Sequence, residues 1–147
     1  MTGTINNTGP AISDPQADIA AILENYRTVA VVGLSPNAHR DSFGVAQYMQ
    51  SQGWRIVPIN PNASQILGET CYPSLTEAAR HHAIELVDVF RNSADVPPVV
   101  ADAISIGAKA IWLQLGVVHE AAAQQARDAG LLVVQNKCLL VEHRRKG

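Results

Sequence analysis

"VAVVGLSPNAHRDSFGVAQYM", residues 29–49, decides how the chain folds. It begins as an apolar, β-branched run that reaches Gly33, the mark of a strand buried on both faces. It continues into "DSFGVAQYMQSQG", an amphipathic helix that Asp41 or Ser42 would cap and Gly53 would stop. Strand, glycine turn, polar loop and helix, in that order, make the first crossover of a parallel α/β sheet. The loop departs from the dinucleotide-binding fingerprint Gly-x-Gly-x-x-Gly. After Gly33 the next small residue is Ser35, Arg40 follows, and Gly44 arrives late.

Working outward, "SDPQADIAAILENYR" reads as a preceding helix, with Asp14 as cap and Pro15 in its first turn. Further strands are expected at 54–60, 84–90, 108–115 and 131–136. Between them lie "SLTEAAR", "SADVPPVVADAISIG" and "HEAAAQQARDAG", all helical in pattern. The two prolines of the second fit only its first turn. Three junctions, "SQG-WRIV", "SIG-AKAIW" and "DAG-LLVV", place a glycine where a helix must end left-handed before the next strand. The expected fold is α/β: a Rossmann-like, doubly wound, parallel five-stranded sheet in the order 3-2-1-4-5, with helices on both faces. Residues 1–12 are expected to form a disordered N-terminal tail and residues 13–147 a single domain. The end, "CLLVEHRRKG", is expected to pack briefly and fray in its basic part.

Composition narrows the function classes. The 147 residues carry a formal net charge of −2, with 47% hydrophobic and 16% charged residues. That balance offers no global basic field for nucleic acid or an anionic membrane. Two cysteines are too few for a disulfide framework and point to a reducing compartment. The start has no basic region followed by an apolar one, as a signal peptide would, and no apolar run reaches membrane-spanning length. A cytoplasmic location is the expectation.

Ligands of such sheets bind outside the carboxyl ends of the strands, near the switch point. Those ends carry Gly33, Leu34 and Ser35; Pro58, Asn60 and Pro61; Phe90, Arg91 and Asn92; Gln114 and Gly116; and Asn136, Lys137 and Cys138. A turn at Gly33 suits close approach of a phosphate, and the helix beginning near Ser42 offers free amides and a positive dipole end. Ser35 and Ser42 add hydroxyls, and Arg40 a forked cation. The second strand ends in Asn60, where an NAD site keeps an acid. A phosphate-gripping Gly-x-x-x-x-Gly-Lys-Ser/Thr loop is also absent. Composition and spacing thus lead to a small domain for a phosphate-bearing nucleotide.

The segments "VAVVGLSPNAHRDSFGVAQYM", "WRIVPINPNASQILGETCYPSL", "VDVFRNSADVP", "AIWLQLGV" and "AGLLVVQNKCLLVEH" resemble the small stand-alone CoA-binding domain proteins. These are similar to the first domain of the succinyl-CoA synthetase α subunit. The resemblance runs from about residue 15 to 143. It implies that Gly33, Leu34, Ser35, Arg40 and Ser42 wrap the CoA pyrophosphate. It places Pro58, Asn60 and Pro61 beside the adenosine, and Phe90, Arg91 and Asn92 near the adenine or its phosphates. Gln114 and Gly116 would follow the pantetheine. Where the family has Asp-Arg-Cys, this chain has Asn136, Lys137 and Cys138. Independently of the resemblance, Gln114, Asn92 and Asn136 offer amide partners to a pantetheine arm, and Arg91 or Arg40 a cation for the extra ribose phosphate.

The synthetase it resembles uses a phosphorylated histidine in a following domain. His39, His81, His82, His119 and His143 show no metal-ligand spacing here. His119 is expected to cap a helix, and His81 and His82 to lie in a solvated connection. The expectation is a binder of coenzyme A or an acyl-CoA, without catalysis, with a protein partner or a second copy as further company. The alternatives are an acyl-CoA thiol-exchange or redox enzyme using Cys138, and an NAD-type dinucleotide binder.

Overall fold

The computed structural model describes residues 14–146, so the tail expected at 1–12 lies outside the described residues. The chain alternates helix and strand throughout. α1 (Pro15–Asn25) begins where Asp14 accepts the Ala17 amide at 3.3 Å, and β1 (Thr28–Val32) follows. α2 (Asp41–Ser51) returns the chain to β2 (Arg55–Ile59). A small hairpin, β3 (Gln65–Ile66) and β4 (Glu69–Thr70), then precedes α3 (Leu75–Ala78). β5 (Leu86–Val89), α4 (Val96–Ser105), β6 (Ala110–Leu113), α5 (Glu120–Asp128), β7 (Leu132–Val134) and α6 (Leu139–Lys146) complete it. The helix ends at Gly53, Gly107 and Gly130 are left-handed, as the junctions required.

Five strands pair in parallel in the order β2-β1-β5-β6-β7. The 3-2-1-4-5 layout runs from the bridge at Tyr72 through β6, and β7 adds a sixth position beyond it. Its third place is taken by the residue after the hairpin, because Tyr72 pairs in parallel with Ile59 outside β2. The Tyr72 amide donates to the Pro58 carbonyl at 3.0 Å, and the Asn60 amide donates to the Tyr72 carbonyl at 2.9 Å. The strand at 84–90 therefore stands fourth in the layout, as β5, directly against β1. The third strand escapes a reading by pattern because it is a single paired residue inside a polar connection.

Both faces of the sheet are covered. Val87, Val89, Ile111, Leu113 and Val133 pack against Val100, Ala103, Ala122 and Ala126 of α4 and α5. The small residues of those helices let them lie close to the strands. On the other face Val29, Val31, Leu86, Trp112 and Val134 meet Ile22, Leu23, Val45, Met49 and Leu139. Strand alternation explains the division, since neighbouring residues point to opposite faces.

The basic end is ordered where fraying was expected. α6 docks through Leu139, which is fully buried, and its His143 Nδ1 shares a 2.8 Å hydrogen bond with the Tyr48 hydroxyl. Arg144, Arg145 and Lys146 face solvent, so the charge sits only on the outer side. Among the described residues no helix is long and apolar enough to cross a membrane.

Candidate functional site

The loop after β1 is braced by its own side chains. Gly33 has φ +85°, and a Cβ there would overlap the Phe90 carbonyl, so only glycine lets β1 turn so close to the end of β5. Its amide donates to the Ile59 carbonyl at 3.1 Å and is therefore engaged by the sheet. The Ser35 amide donates to Ser42 Oγ at 3.0 Å, the Asn37 amide to Ser35 Oγ at 3.1 Å, and the His39 amide to Asn37 Oδ1 at 2.9 Å.

This corrects the expected helix cap. Arg40 occupies the N-cap of α2, no side chain caps the helix, and Ser42 is a buried brace for the loop. The first amides and the positive dipole end of α2 consequently stand uncapped at the rim of a hollow of about 360 Å³. Gly33, Ser35, His39, Arg40, Asp41, Ser42 and Phe90 line it.

Arg40, Asp41 and Phe90 also line a larger cleft of about 670 Å³, so the two spaces adjoin. Arg91, Asn92, Gln114 and Cys138 contribute its polar wall, and Val45, Leu115, Val117 and Leu140 its apolar one. The cleft opens beside the switch point between β1 and β5. Three strand ends, of β1, β5 and β6, and the starts of α2 and α6 thus converge on one site. Arg40 and Arg91 are exposed at its rim, cations free to meet phosphate.

Other expected residues are held by the fold. Asn60 Nδ2 donates to the Leu34 carbonyl at 3.0 Å, and its Oδ1 accepts the Asn62 amide at 2.7 Å. Its own carbonyl accepts the buried Cys71 thiol, which burial pushes above its usual pKa. Asn60 is thus a bracket between β2, the β1 loop and the hairpin. Pro58 is buried within β2, and Leu34 is fully buried in the core, so it can meet a ligand only through its backbone. Pro61 is exposed beside Asn60, away from both spaces as they are lined.

At the fifth-strand corner, Asn136 Oδ1 accepts the Gly116 amide at 2.7 Å, and the Lys137 carbonyl accepts Trp112 Nε1 at 2.8 Å. The Asn136 side chain and the Lys137 carbonyl are thus taken up in closing the loops, and only Cys138 of the three lines the cleft. Four of the histidines have structural partners, and His39 lines the hollow. His119 Nδ1 accepts the Ala122 amide at 3.1 Å and caps α5. The 81–82 connection is solvated as expected, with Arg80, His81 and Ala83 exposed, while His81 stacks on the Tyr72 ring and His82 Nε2 lies 3.2 Å from its hydroxyl.

One residue escaped the sequence reading. Asp88, in the middle of β5, is buried, and Gln114 Nε2 donates to its Oδ1 at 2.6 Å. Burial pushes its pKa up to about 7 against the lowering effect of that hydrogen bond. An acid flanked by valines in "LVDVF" was the available signal.

An uncapped helix start, two exposed guanidinium groups and a cleft in the size range of cofactor sites suit a long phosphorylated ligand. Fold and cleft define the class: a Rossmann-like nucleotide-binding domain. Residues 27–144 match the family described as CoA binding domain, and the chain belongs to that family. It is 36% identical over 128 residues to the uncharacterized protein YneT of Bacillus subtilis (strain 168), covering 87% of this chain and 93% of that protein. A hypothetical protein from Pyrococcus horikoshii OT3 superposes with a TM-score of 0.84 at 35% identity, over 96% of this chain and 98% of that one. Acetate–CoA ligase [ADP-forming] II of Archaeoglobus fulgidus is 31% identical over 85 residues, 56% of this chain but only 12% of the ligase.

Proposed function

We propose that this protein is a CoA-binding module that holds coenzyme A or an acyl-CoA without breaking a bond in it. The pyrophosphate lies in the hollow at residues 33–42, gripped by Arg40, the Ser35 hydroxyl and the first amides of α2. The adenosine half with its ribose phosphate sits toward Phe90 and Arg91, and the pantetheine arm runs past Gln114 toward Cys138. The observation that supports this reading best is the sharing of Arg40, Asp41 and Phe90 by the hollow of about 360 Å³ and the cleft of about 670 Å³. One extended ligand with a charged head and an amide-bearing tail suits that pair of spaces. Asp41 is the one acid common to both, and it requires the arginines to outweigh it.

Calorimetry with CoA, dephospho-CoA, NAD and ATP tests the proposal. CoA should bind tightest, and dephospho-CoA should lose the share of affinity that Arg91 or Arg40 gives to the ribose phosphate. Tighter binding of NAD than of CoA would sink it. A second reading, thiol exchange or redox chemistry on an acyl-CoA, is favoured by one fact: the Cys138 thiol lines the cleft. Turnover abolished by Cys138→Ser, with CoA affinity retained, would select that reading. A cytoplasmic location and a protein partner or second copy accompany the first reading.

A further inference from the structure

Behind Gln114 on the wall of the cleft lies a buried acid that phosphate binding does not need. Asp88 lies between Val31 of β1 and Trp112 of β6 and is 1% exposed. Its hydrogen-bond partner is Gln114 Nε2, at 2.6 Å. Gln114 is itself 4% exposed and lines the cleft. Its Oε1 has no hydrogen-bond partner among the described residues. A carboxyl group buried with one neutral partner is costly, and its neighbours Leu86, Val87 and Val89 show that apolar residues suit this strand.

A carboxylate can only accept, so it holds a carboxamide by the nitrogen and turns the oxygen away. We propose that Asp88 is a positioning residue that fixes Gln114 with Nε2 inward, so that the cleft presents Oε1 as an acceptor and selects an N–H donor on the ligand. This rests on the CoA reading, which supplies that donor as the secondary amides of the pantetheine arm. A protonated Asp88 reverses the pair. The acid then donates to Oε1, and Gln114 turns its nitrogen to the cleft. Because burial pushes Asp88 up to about 7, this reversal falls in an accessible range. The strand neighbours facing Asp88 do not titrate. The charged and titratable groups on the surrounding elements are Asp18 and Glu24 of α1, Arg40, Asp41 and Tyr48 at α2, Arg91 and Asp95 ahead of α4, Lys137 and Cys138, and Glu142, His143, Arg144, Arg145 and Lys146 of α6. None of them is a cause of the Asp88 shift.

The test is calorimetry on the full chain at pH 8 and pH 6, with CoA and with adenosine 3′,5′-bisphosphate, which has the phosphates but no amide arm. Asp88→Asn and Asp88→Val are compared with the native protein. At pH 8 Asp88→Val, which removes the acceptor, should weaken CoA about five- to tenfold, the loss of one well-placed hydrogen bond. Asp88→Asn, which can hold Gln114 either way round, should weaken it less. Both should leave the bisphosphate within about twofold. In the native protein the ratio of CoA to bisphosphate affinity should fall from pH 8 to pH 6. The fall should be larger in the native protein than in the variants, which keep only the drift from the bisphosphate's own 5′-phosphate titration. Equal losses for both ligands, or no loss for either, would overturn the assignment. Equal affinity of the native protein for both ligands would overturn it too while leaving the nucleotide site standing. Failure to bind either ligand would instead remove the CoA reading on which it rests.

Discussion

Two corners of the same sheet edge show opposite uses of polar residues. At the β2 corner, Asn60 has both ends of its carboxamide engaged by backbone partners, and its carbonyl accepts the Cys71 thiol. At the β5–β6 corner, Gln114 has one end held by a buried acid and the other end free, on the wall of the cleft. Both are carboxamides at strand ends, so residue type and position alone do not separate a bracket from a binding group. What separates them is the number of partners the fold supplies. The closed corner should respond to mutation in stability, and the open corner in ligand affinity and pH dependence.

The largest effect expected is electrostatic, at the open corner. Asp88 has a folded pKa of about 7, raised from 3.8, so the folded state holds its proton more tightly than the unfolded chain. Between those values the unfolded state binds fewer protons, and stability must fall as pH rises from about 4 to about 7, then level off. The full span is on the order of 4 kcal/mol for a group so completely buried. Urea unfolding of the native protein and Asp88→Asn at several pH values reads this directly. The difference in stability between them should drift across that window and be constant above it. Parallel pH profiles would show that Asp88 does not carry the open corner's charge.

Next in size is the joint between the corners. Gly33→Ala places a Cβ against the Phe90 carbonyl at a backbone angle alanine resists. A loss of about 3 kcal/mol or more is expected in chemical denaturation, together with loss of ligand binding, because the β1 loop must move. Asn60→Ala follows, with about 2 kcal/mol lost from its two side-chain hydrogen bonds. If Asn60→Ala kept its stability but weakened CoA strongly, the closed corner would have to be reassigned as a binding group.

The contrast also marks how far the sequence could be read. Apolar β-branched runs, helix-stop glycines and the polar strand ends were legible because each follows a local period or a local steric rule. Gly33, Ser35, Arg40, Phe90, Arg91, Gln114 and Cys138 do come together around the two spaces. Asp88 was invisible as a partner of Gln114 because the pair spans 26 residues and depends on strand register. The roles of Asn60 and Asn136 were hidden for the same reason: donors and acceptors are consumed by backbone groups that only the folded chain brings near. α6 was misjudged because its basic outer side dominates the composition of a segment whose inner side is apolar and aromatic.

The smallest effect is expected where a guanidinium meets phosphate in water. Arg40 is exposed at the N-cap of α2, beside both the hollow and the cleft, with no side-chain cap bond to the helix. Removing it should leave the melting temperature unchanged, since surface substitutions away from packed groups usually alter stability by less than about 0.5 kcal/mol. Its loss should weaken CoA by roughly tenfold at low salt, about 1.4 kcal/mol, the scale of one charge-assisted hydrogen bond. Added salt screens an exposed charge, so the gap between native and Arg40→Ala affinities should narrow as ionic strength rises. Lysine at the same position should recover only part of the affinity, because an ammonium lacks the fork that meets two phosphate oxygens together. An Arg40→Ala protein that bound CoA normally but unfolded early would reverse the assignment: Arg40 would then belong with Asn60, to the closed side of the edge.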